Sequence, residues 1–207
     1  MREELEAVPR QGDLAFLAHD LLTGFHTPEL TSFLEEWPAQ PAARRVDPYS
    51  VPALRWLPRV REAAPDFSLE LIEAVVTAAP SLAWRRSYTP ELVGAAFFDN
   101  YGWTELIGLT GPTVSEHLAC GILLLGPHQT YPPHRHEAEE IYLPLVGMAA
   151  WKQGSGRWRE RSPGEVIHHA SNEPHAMRTA STPLLALYLW RSQDLAQQSR
   201  LDPAPAV

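Results

Sequence analysis

The chain has 207 residues, which is enough for one sizeable core or for a β-barrel with a helical extension. Hydrophobic residues make up 44% and charged residues 20%, an ordinary globular balance that excludes a disordered protein. The net charge of −8 is evidence against a nucleic-acid-binding protein, which usually presents a basic face, but it leaves a small zwitterionic or anionic substrate open.

The N-terminal stretch MREELEAVPRQGD is polar and acidic and lacks the apolar segment of a signal peptide. No apolar run approaches the ~18 residues of a membrane span. We therefore expect a cytoplasmic protein with no membrane contact. The single Cys120 cannot form an internal disulfide, and its apolar setting, LACGILLLG, predicts an inert thiol in a buried strand.

The first hundred residues are predicted to be mostly helical. The first helix, GDLAFLAHDLLTGF, has apolar residues near a 3.6-residue period and Asp13 as its N-cap. The second and fourth helices begin at the repeated TPEL, where Thr27 or Thr89 is the cap and a proline follows in the first turn. The third helix spans Asp66 to Trp84. Five prolines between residues 38 and 58 predict a connector ahead of it.

From about Gly102 the chain changes to short, β-prone segments that are separated by Gly, Pro, Ser and Asn. Their spacing is typical of an antiparallel sandwich or barrel. The segments are HLACGILLLG, EEIYLPLVG, MAAWKQG, GRWRERS, GEVIHHAS and PLLALYLWR. We therefore predict a helical N-terminal extension (residues 1–100) packed on a β-barrel (residues 101–195), followed by a flexible tail (residues 196–207).

The segment YPPHRHEAEEIYLPLVG contains the residues of a candidate metal site. His134 and His136 are two apart, so they share one face of a strand. If the following EAE turns the chain, Glu140 and Tyr142 share a face of the next strand and can meet the histidines. Two imidazoles and a carboxylate suit a divalent transition metal, with positions left open for a substrate.

A further histidine would complete a four-ligand set. His175, in SNEPHAM, is the preferred candidate because it sits in a loop just before a predicted strand. His168 and His169 compete for the role. Adjacent residues of a strand point in opposite directions, so at most one of these two faces the interior.

The pattern H-x-H-x3-E-x6-G, from His134 to Gly147, is followed about thirty residues later by PGEVIHHASNEPHAM. These two segments resemble the signature motifs of the cupin superfamily, although Glu165 and His169 stand where aspartate and proline are common. The resemblance implies a mainly β fold: a cupin (double-stranded β-helix, jelly-roll) barrel with a metal inside and an α-helical N-terminal region. Four residues correspond to the family's metal ligands: His134, His136, Glu140 and His175.

A narrower resemblance, over residues 85 to 192, is to the cupin-type dimethylsulfoniopropionate lyases and their lyase-like relatives. It rests on H-x-H-x3-E-x-Y, an upstream tyrosine and a late tryptophan, here Tyr142, Tyr131 and Trp190. The resemblance implies a metal-dependent β-elimination that yields dimethyl sulfide, acrylate and a proton. The cofactor it implies is one divalent transition metal ion, and Fe, Mn, Zn, Ni or Co would each accept these ligands.

The same resemblance assigns roles. Tyr142 is the expected general base, because a nearby dication favours its phenolate form over the phenol of pKa near 10. Tyr131 is expected to position the substrate. The leaving group is a sulfonium cation, which aromatic faces attract, and the expected contacts are Trp190 and Tyr188.

Two other functions stay open at this stage. One is a metal-dependent cupin lyase, isomerase or dioxygenase that acts on another small carboxylic acid, and the other is a non-catalytic cupin that binds a small ligand. A homodimer is also an expectation, because cupins frequently pair. Independently of this, the helical segment is expected to cover the barrel mouth, to exclude water or to form a dimer interface.

Overall fold

The computed structural model describes residues 11–39 and 42–202. Its helices are α1 (Gln11–Thr23), α2 (Pro28–Leu34), α3 (Leu57–Glu62), α4 (Leu69–Ala78), α5 (Pro90–Val93) and α6 (Ala95–Phe98). Its strands are β1 (Tyr101–Gly108), β2 (Thr113–Val114), β3 (Leu118–Leu125), β4 (Thr130–Arg135), β5 (Glu139–Val146), β6 (Ala149–Gln153), β7 (Arg159–Arg161), β8 (Ile167–His169), β9 (His175–Thr179), β10 (Leu184–Arg191) and β11 (Arg200–Leu201). Within the described ranges, none of the helices is long and apolar enough to cross a membrane.

The strands form two sheets that face each other. One has six strands in the order β2-β1-β3-β10-β5-β8, and the other has five in the order β11-β4-β9-β6-β7. Their pairing is antiparallel except between β1 and β2. The prediction of a mainly β, jelly-roll fold with an N-terminal helical region is confirmed, although the two sheets do not close into one continuous barrel.

The six-stranded sheet is buried on both faces, which explains its uninterrupted apolar runs. Alternate residues of β3, such as Ile122 and Leu124, pack with the helices in one hydrophobic cluster. The residues between them, such as Leu123 and Leu125, belong to a second cluster between the sheets, which also contains Met177 of β9. The helices α1 to α4 therefore cover the outer face of this sheet, on the side away from the interior of the sandwich.

The first three predicted helices are found in place with different ends, whereas the fourth is two short helices, α5 and α6, that meet at Gly94 with φ +80°. Thr27 caps α2 through its hydroxyl, which accepts a hydrogen bond from the Leu30 amide at 3.2 Å. Asp13 lies inside the first turn of α1 and is therefore not its N-cap. The third helix ends at Ala78, well before the predicted Trp84, because Pro80 cannot continue an α-helix.

Two stretches contain more structure than the sequence predicted. The proline-rich connector contains a 3-10 turn and α3, which begins before Pro58. In the predicted tail, residues 196–199 lead into β11, which pairs with β4. The side chain of Asp202 also forms a salt bridge with that of Arg135 at 2.5 Å, next to this strand pair.

Gly147, the last residue of the motif, ends β5 in a conformation that requires glycine. Its φ is +84°, and an added Cβ would lie 2.2 Å from the carbonyl oxygen of Pro183. The chain can therefore turn sharply here from the six-stranded sheet into the five-stranded one. The turn comes immediately after β5, the strand that carries Glu140 and Tyr142.

Candidate metal centre

The predicted site residues come together between the two sheets. The five-stranded sheet contributes His134 and His175, and His136 follows the end of β4. The six-stranded sheet contributes Glu140 and Tyr142 from β5. All five residues are buried. The convergence depends on both sheets, so it exists only when the sandwich is folded.

The three histidines form a compact group of possible ligands. His134 and His175 are directly opposite each other on β4 and β9, with ring centroids 4.1 Å apart. One ring nitrogen from each of His134, His136 and His175 lies within 4.8 Å of the others. A buried group of this size can hold a metal ion.

Backbone carbonyls orient all three rings. The Nδ1 atoms of His134, His136 and His175 lie 2.9, 2.7 and 2.9 Å from the carbonyl oxygens of Pro132, Ala138 and Glu173. Each Nδ1 therefore donates to its carbonyl, and in a neutral ring this Nδ1–H tautomer leaves the lone pair on Nε2. This tautomer and this support are what metal-binding histidines require.

Glu140 supplies negative charge to the same group. One carboxylate oxygen, Oε2, lies 2.9 Å from Nε2 of His136 and 3.1 Å from Nε2 of His175. The other oxygen, Oε1, accepts a hydrogen bond from the Trp190 indole at 2.5 Å. Burial opposes ionisation, but the charge and hydrogen bond of His136, together with the nearby His175, hold the pKa of Glu140 well below its usual range.

The donor set fits a divalent transition metal. Burial, reinforced by His175, lowers the pKa of His134 well below its usual value, so this imidazole is neutral as a ligand must be. Nε2 of His175 is buried and makes no well-oriented hydrogen bond, although Glu140 is close. A cation between these nitrogens and the carboxylate would satisfy that unpaired atom.

Tyr131 contacts the site through a β-bulge. The pairing of β4 with β9 shifts between Tyr131 and His134, so the intervening Pro132 and Pro133 occupy the irregular stretch. Residues three apart on a regular strand would face opposite sides, yet both side chains point inward here. The two rings stack with centroids 4.0 Å apart and an angle of 12°. Tyr131 therefore holds the His134 ring in place.

Tyr142 lies on the same face of β5 as Glu140 and lines the same cavity. Its ring centroid is 6.5 Å from that of His175. Burial, and then the negative charge of Glu140, raise the pKa of Tyr142 well above 10. With only protein groups around it the phenol is protonated, so a nearby cation is needed to favour phenolate.

Of the competing histidines, His169 faces inward and His168 outward. The His169 ring stacks on His175 with centroids 4.1 Å apart, and its Nε2 is buried without a hydrogen-bond partner. His168 instead points to Glu139, 2.7 Å from the carboxylate. His169 lies outside the group of nitrogens that can share an ion, so its place is behind His175. Burial, reinforced by His175, lowers the pKa of His169 to about 3.

A cavity of about 750 Å³ opens onto the site. Trp103, Tyr188 and Trp190 form an aromatic wall in it, with Tyr188 6.3 Å from Trp103 and 6.4 Å from Trp190, centroid to centroid. Trp190 also packs 4.2 Å from the His136 ring. Trp190 therefore lines the cavity and also contacts two of the possible ligands. The sequence indicated the first of these contacts but not the second.

A chain of hydroxyl groups behind Tyr131 was not predicted. The Tyr131 hydroxyl lies 3.2 Å from that of Tyr101 and donates to that of Tyr88 at 3.3 Å. Tyr101 continues to Ser87 at 3.0 Å, and Tyr88 donates to Ser199 at 2.9 Å. These residues come from a loop, the start of β1 and the C-terminal segment. No local pattern connects them, so the sequence offered no signal for this network.

Comparisons of the sequence with a family model and with curated proteins all identify the same family. The family model described as dimethylsulfoniopropionate lyase matches residues 29–186. The chain is 38% identical over 119 residues to dimethylsulfoniopropionate lyase DddQ of Ruegeria pomeroyi, covering 58% of this chain and 59% of that protein. It is 31% identical over 123 residues to the putative dimethylsulfoniopropionate lyase DddL of Cereibacter sphaeroides, covering 58% of this chain and 50% of that one. The chain therefore spans only about half to three fifths of the length of these two relatives.

Solved structures match over nearly the whole chain. One, described as crystal structures of the DMSP lyases RdDddP and RnDddQII, has a TM-score of 0.86 at 32% identity, covering 93% of this chain and 97% of that one. The crystal structure of DMSP lyase DddQ from Ruegeria pomeroyi has a TM-score of 0.82 at 28% identity, covering 95% and 98%. The similarity therefore includes the helical region as well as the two sheets.

Proposed function

Because this chain belongs to the dimethylsulfoniopropionate lyase family, we propose that it is a metal-dependent lyase that cleaves dimethylsulfoniopropionate to dimethyl sulfide and acrylate. The observation that carries the proposal is the convergence of His134, His136, His175 and Glu140 on the cavity that Tyr142 lines. The substrate is a small zwitterion with a carboxylate at one end and a sulfonium at the other. The cavity offers each end a different environment.

We assign His134, His136, His175 and Glu140 as the residues that hold one divalent transition metal ion. When bound, such an ion acts as a Lewis acid toward a carboxylate and favours the ionised form of nearby oxygen groups. The protein's part is to orient the imidazoles through the backbone carbonyls and to keep Glu140 ionised through its contacts with the histidines. Fe, Mn, Zn, Ni and Co all suit this set.

Tyr142 is the proposed general base. As phenolate it takes the proton from the carbon next to the substrate carboxylate. The electron pair of that C–H bond forms the C=C bond of acrylate, and the C–S bond breaks with its pair going to sulfur. Dimethyl sulfide leaves neutral, and the proton on Tyr142 returns to water. The buried position of Tyr142 beside Glu140 means that this basicity exists only when a cation is close.

The aromatic wall is the proposed site for the sulfonium. The faces of Tyr188, Trp190 and Trp103 line the cavity, and aromatic faces attract cations by about 0.5–2 kcal/mol. Tyr131 stacks on His134 and borders the same space, so it is proposed to position the substrate between the two ends.

The test is the detection of both products. Purified protein is freed of metal, reloaded with each candidate ion in turn and given dimethylsulfoniopropionate. Dimethyl sulfide in the headspace and acrylate in solution are then measured together. We expect equal amounts of both from at least one loaded form. A folded, metal-loaded protein that releases neither product would refute the proposal.

The size of the cavity favours a second candidate function. The cavity lining extends from Glu140 and Tyr142 out to Asp47 and Gln198, which leaves space beside the site for a larger alkyl group. The same residues would eliminate a bulkier leaving group from another β-substituted carboxylic acid. A panel of sulfonium propionates with larger alkyl groups distinguishes the two, because faster turnover of a bulkier member would identify the larger acid as the better substrate.

A further inference from the structure

A cluster of charged and polar side chains lies on the outer side of β5, which carries Glu140, and of its two neighbouring strands, β8 and β10. It consists of Arg191 at the end of β10, Glu139 at the start of β5 and His168 in β8. Arg191 donates to Glu139 at 2.6 Å, and His168 contacts the other oxygen of Glu139 at 2.7 Å. We call these three residues the outer clamp. Each lies next in sequence to a residue on the inner face: Trp190, Glu140 and His169.

The pairing of the strands connects the outer clamp to the inner residues. Arg191 is opposite Glu139, and Trp190 is opposite Glu140, in the same antiparallel ladder. On the other side of β5, Glu140 is opposite His169. A slip of one residue would turn Glu140 away from the histidines and bring Glu139 inward, because successive side chains alternate between faces. The outer clamp opposes such a slip, since its contacts form only in the observed register.

Arg191 also joins this ladder to the N-terminal helices. Its guanidinium donates to the Ser32 hydroxyl of α2 at 2.6 Å and lies 4.2 Å above the Phe33 ring. Glu36, just after α2, is 3.7 Å from the same guanidinium. The Arg191 side chain is only 23% exposed, so it is held between the helix and the sheet. No other function described above uses these contacts.

We propose that Arg191 is a positioning residue for the metal site, acting through Glu139 to hold Glu140 in register and coupling α2 to that strand. The proposal rests on the proposed function, because it requires that Glu140 serve as a metal ligand. It gives the helical region a part in metal binding through a contact some distance from the cavity. Arg191 itself touches neither the ligands nor the substrate.

The test is metal affinity, measured by competition with a chelator of known strength. Direct partners of metal ligands typically change affinity by 10–100-fold. Because Arg191 acts one residue further away, we expect Arg191→Gln to weaken binding by about 3- to 10-fold. Arg191→Lys keeps the charge beside Glu139 and should recover part of that loss. The visible spectrum of the cobalt-loaded protein should also differ between the Gln variant and the wild type, because Glu140 is displaced.

Arg61→Gln is the matched control. It removes an arginine–glutamate pair of similar length, 2.7 Å to Glu73, between α3 and α4 and away from the site. We expect its metal affinity and cobalt spectrum to equal those of the wild type. Thermal unfolding of each metal-free variant shows how much stability each change removes.

The outcomes separate the two proposals. If Arg191→Gln lowers stability but leaves metal affinity and the cobalt spectrum unchanged, its role is structural only and the positioning role is wrong. If the wild type itself binds no metal, both proposals fail. The positioning role is supported if Arg191→Gln weakens metal binding and Arg191→Lys recovers part of the loss. The metal affinity of the control Arg61→Gln must then equal that of the wild type.

Discussion

The protonation of the buried Tyr142 phenol depends on the groups around it. Its environment of protein atoms favours the phenol, because burial and Glu140 both raise its pKa. The same position, two residues from Glu140 on one face of β5, places it beside the proposed ion. The proposed role of Tyr142 as a base therefore requires the loaded site, so the proposal couples reactivity to metal binding.

The variant Tyr142→Phe tests that assignment at the residue scale. It removes the hydroxyl and keeps the ring that packs 4.9 Å from Trp151. General-base catalysis typically contributes about 10²–10⁴-fold, so we expect turnover to fall by that factor. Metal content and thermal stability, measured beside it, should stay near those of the wild type. Nearly full activity in this variant would show that another group removes the proton.

The buried histidines predict a pH dependence for the metal-free protein. The pKa values of His134 and His169 lie below the usual 6.5, so the unfolded chain binds protons in a range where the folded protein does not. Stability should therefore fall as the pH is lowered from 6.5, by up to about 1.4 kcal/mol per pH unit for each such proton. Below 4.5, Glu139 and Glu140 add to the loss, because their pKa values are lowered too.

Chemical denaturation at a series of pH values measures this slope. The variant His169→Gln should flatten it between pH 6.5 and 4.5, where the carboxylates do not yet contribute. His136 has a raised pKa, and its stabilisation is lost only above 6.5, so it does not disturb this window. An unchanged slope in the variant would mean that His169 is not the buried neutral group described above.

At the scale of the strand, Gly121 makes room for the aromatic wall. It lies opposite Tyr188 in the ladder between β3 and β10, and an added Cβ would be 2.6 Å from the tyrosine ring and 2.2 Å from the carbonyl oxygen of Thr104. We expect Gly121→Ala to lower the free energy of unfolding by about 1–3 kcal/mol, because the core must shift. Since the Tyr188 ring moves, the KM for the substrate should also rise. A folded variant with an unchanged KM would remove Tyr188 from the substrate site.

The sequence predicts the strands and helices around the site well only where a short, regular spacing of residues determines them. The two-residue spacing of His134 and His136, and of Glu140 and Tyr142, follows directly from strand geometry, and their meeting was predicted from it. Tyr131 follows no such rule, because the bulge at Pro132 and Pro133 changes its face. The third helix was predicted too long because the apolar pattern continues past Pro80.

Contacts between distant segments are what the sequence did not predict. The hydroxyl chain joins Tyr88, Tyr101 and Ser199 across more than a hundred residues. Arg191 of the outer clamp likewise contacts Ser32, a residue far away in sequence. Neither has a periodic pattern, since each depends on how the helices and the C-terminal segment pack on the sheets.

On the scale of the whole molecule, the six-stranded sheet contributes side chains to two hydrophobic clusters, one on each of its faces. Its outer face packs on the helices, and its inner face carries Glu140, Tyr142, Tyr188 and Trp190. Loss of helix packing should therefore reach the site through the strands, even though α1 to α4 do not cover the cavity. The homodimer and the cytoplasmic location stay predictions, and light scattering of the purified protein tests the first of them.

The most direct test of the central claim is a metal titration followed by product release. Metal-free protein receives a divalent ion in steps, and dimethyl sulfide is measured after each addition. Turnover should rise in proportion to the metal and level off at one ion per chain. His175→Ala should stay inactive throughout, whereas His117→Ala, which changes an exposed histidine, should follow the wild type. Full turnover without metal, or an active His175→Ala variant, would contradict a lyase that works through this buried metal centre.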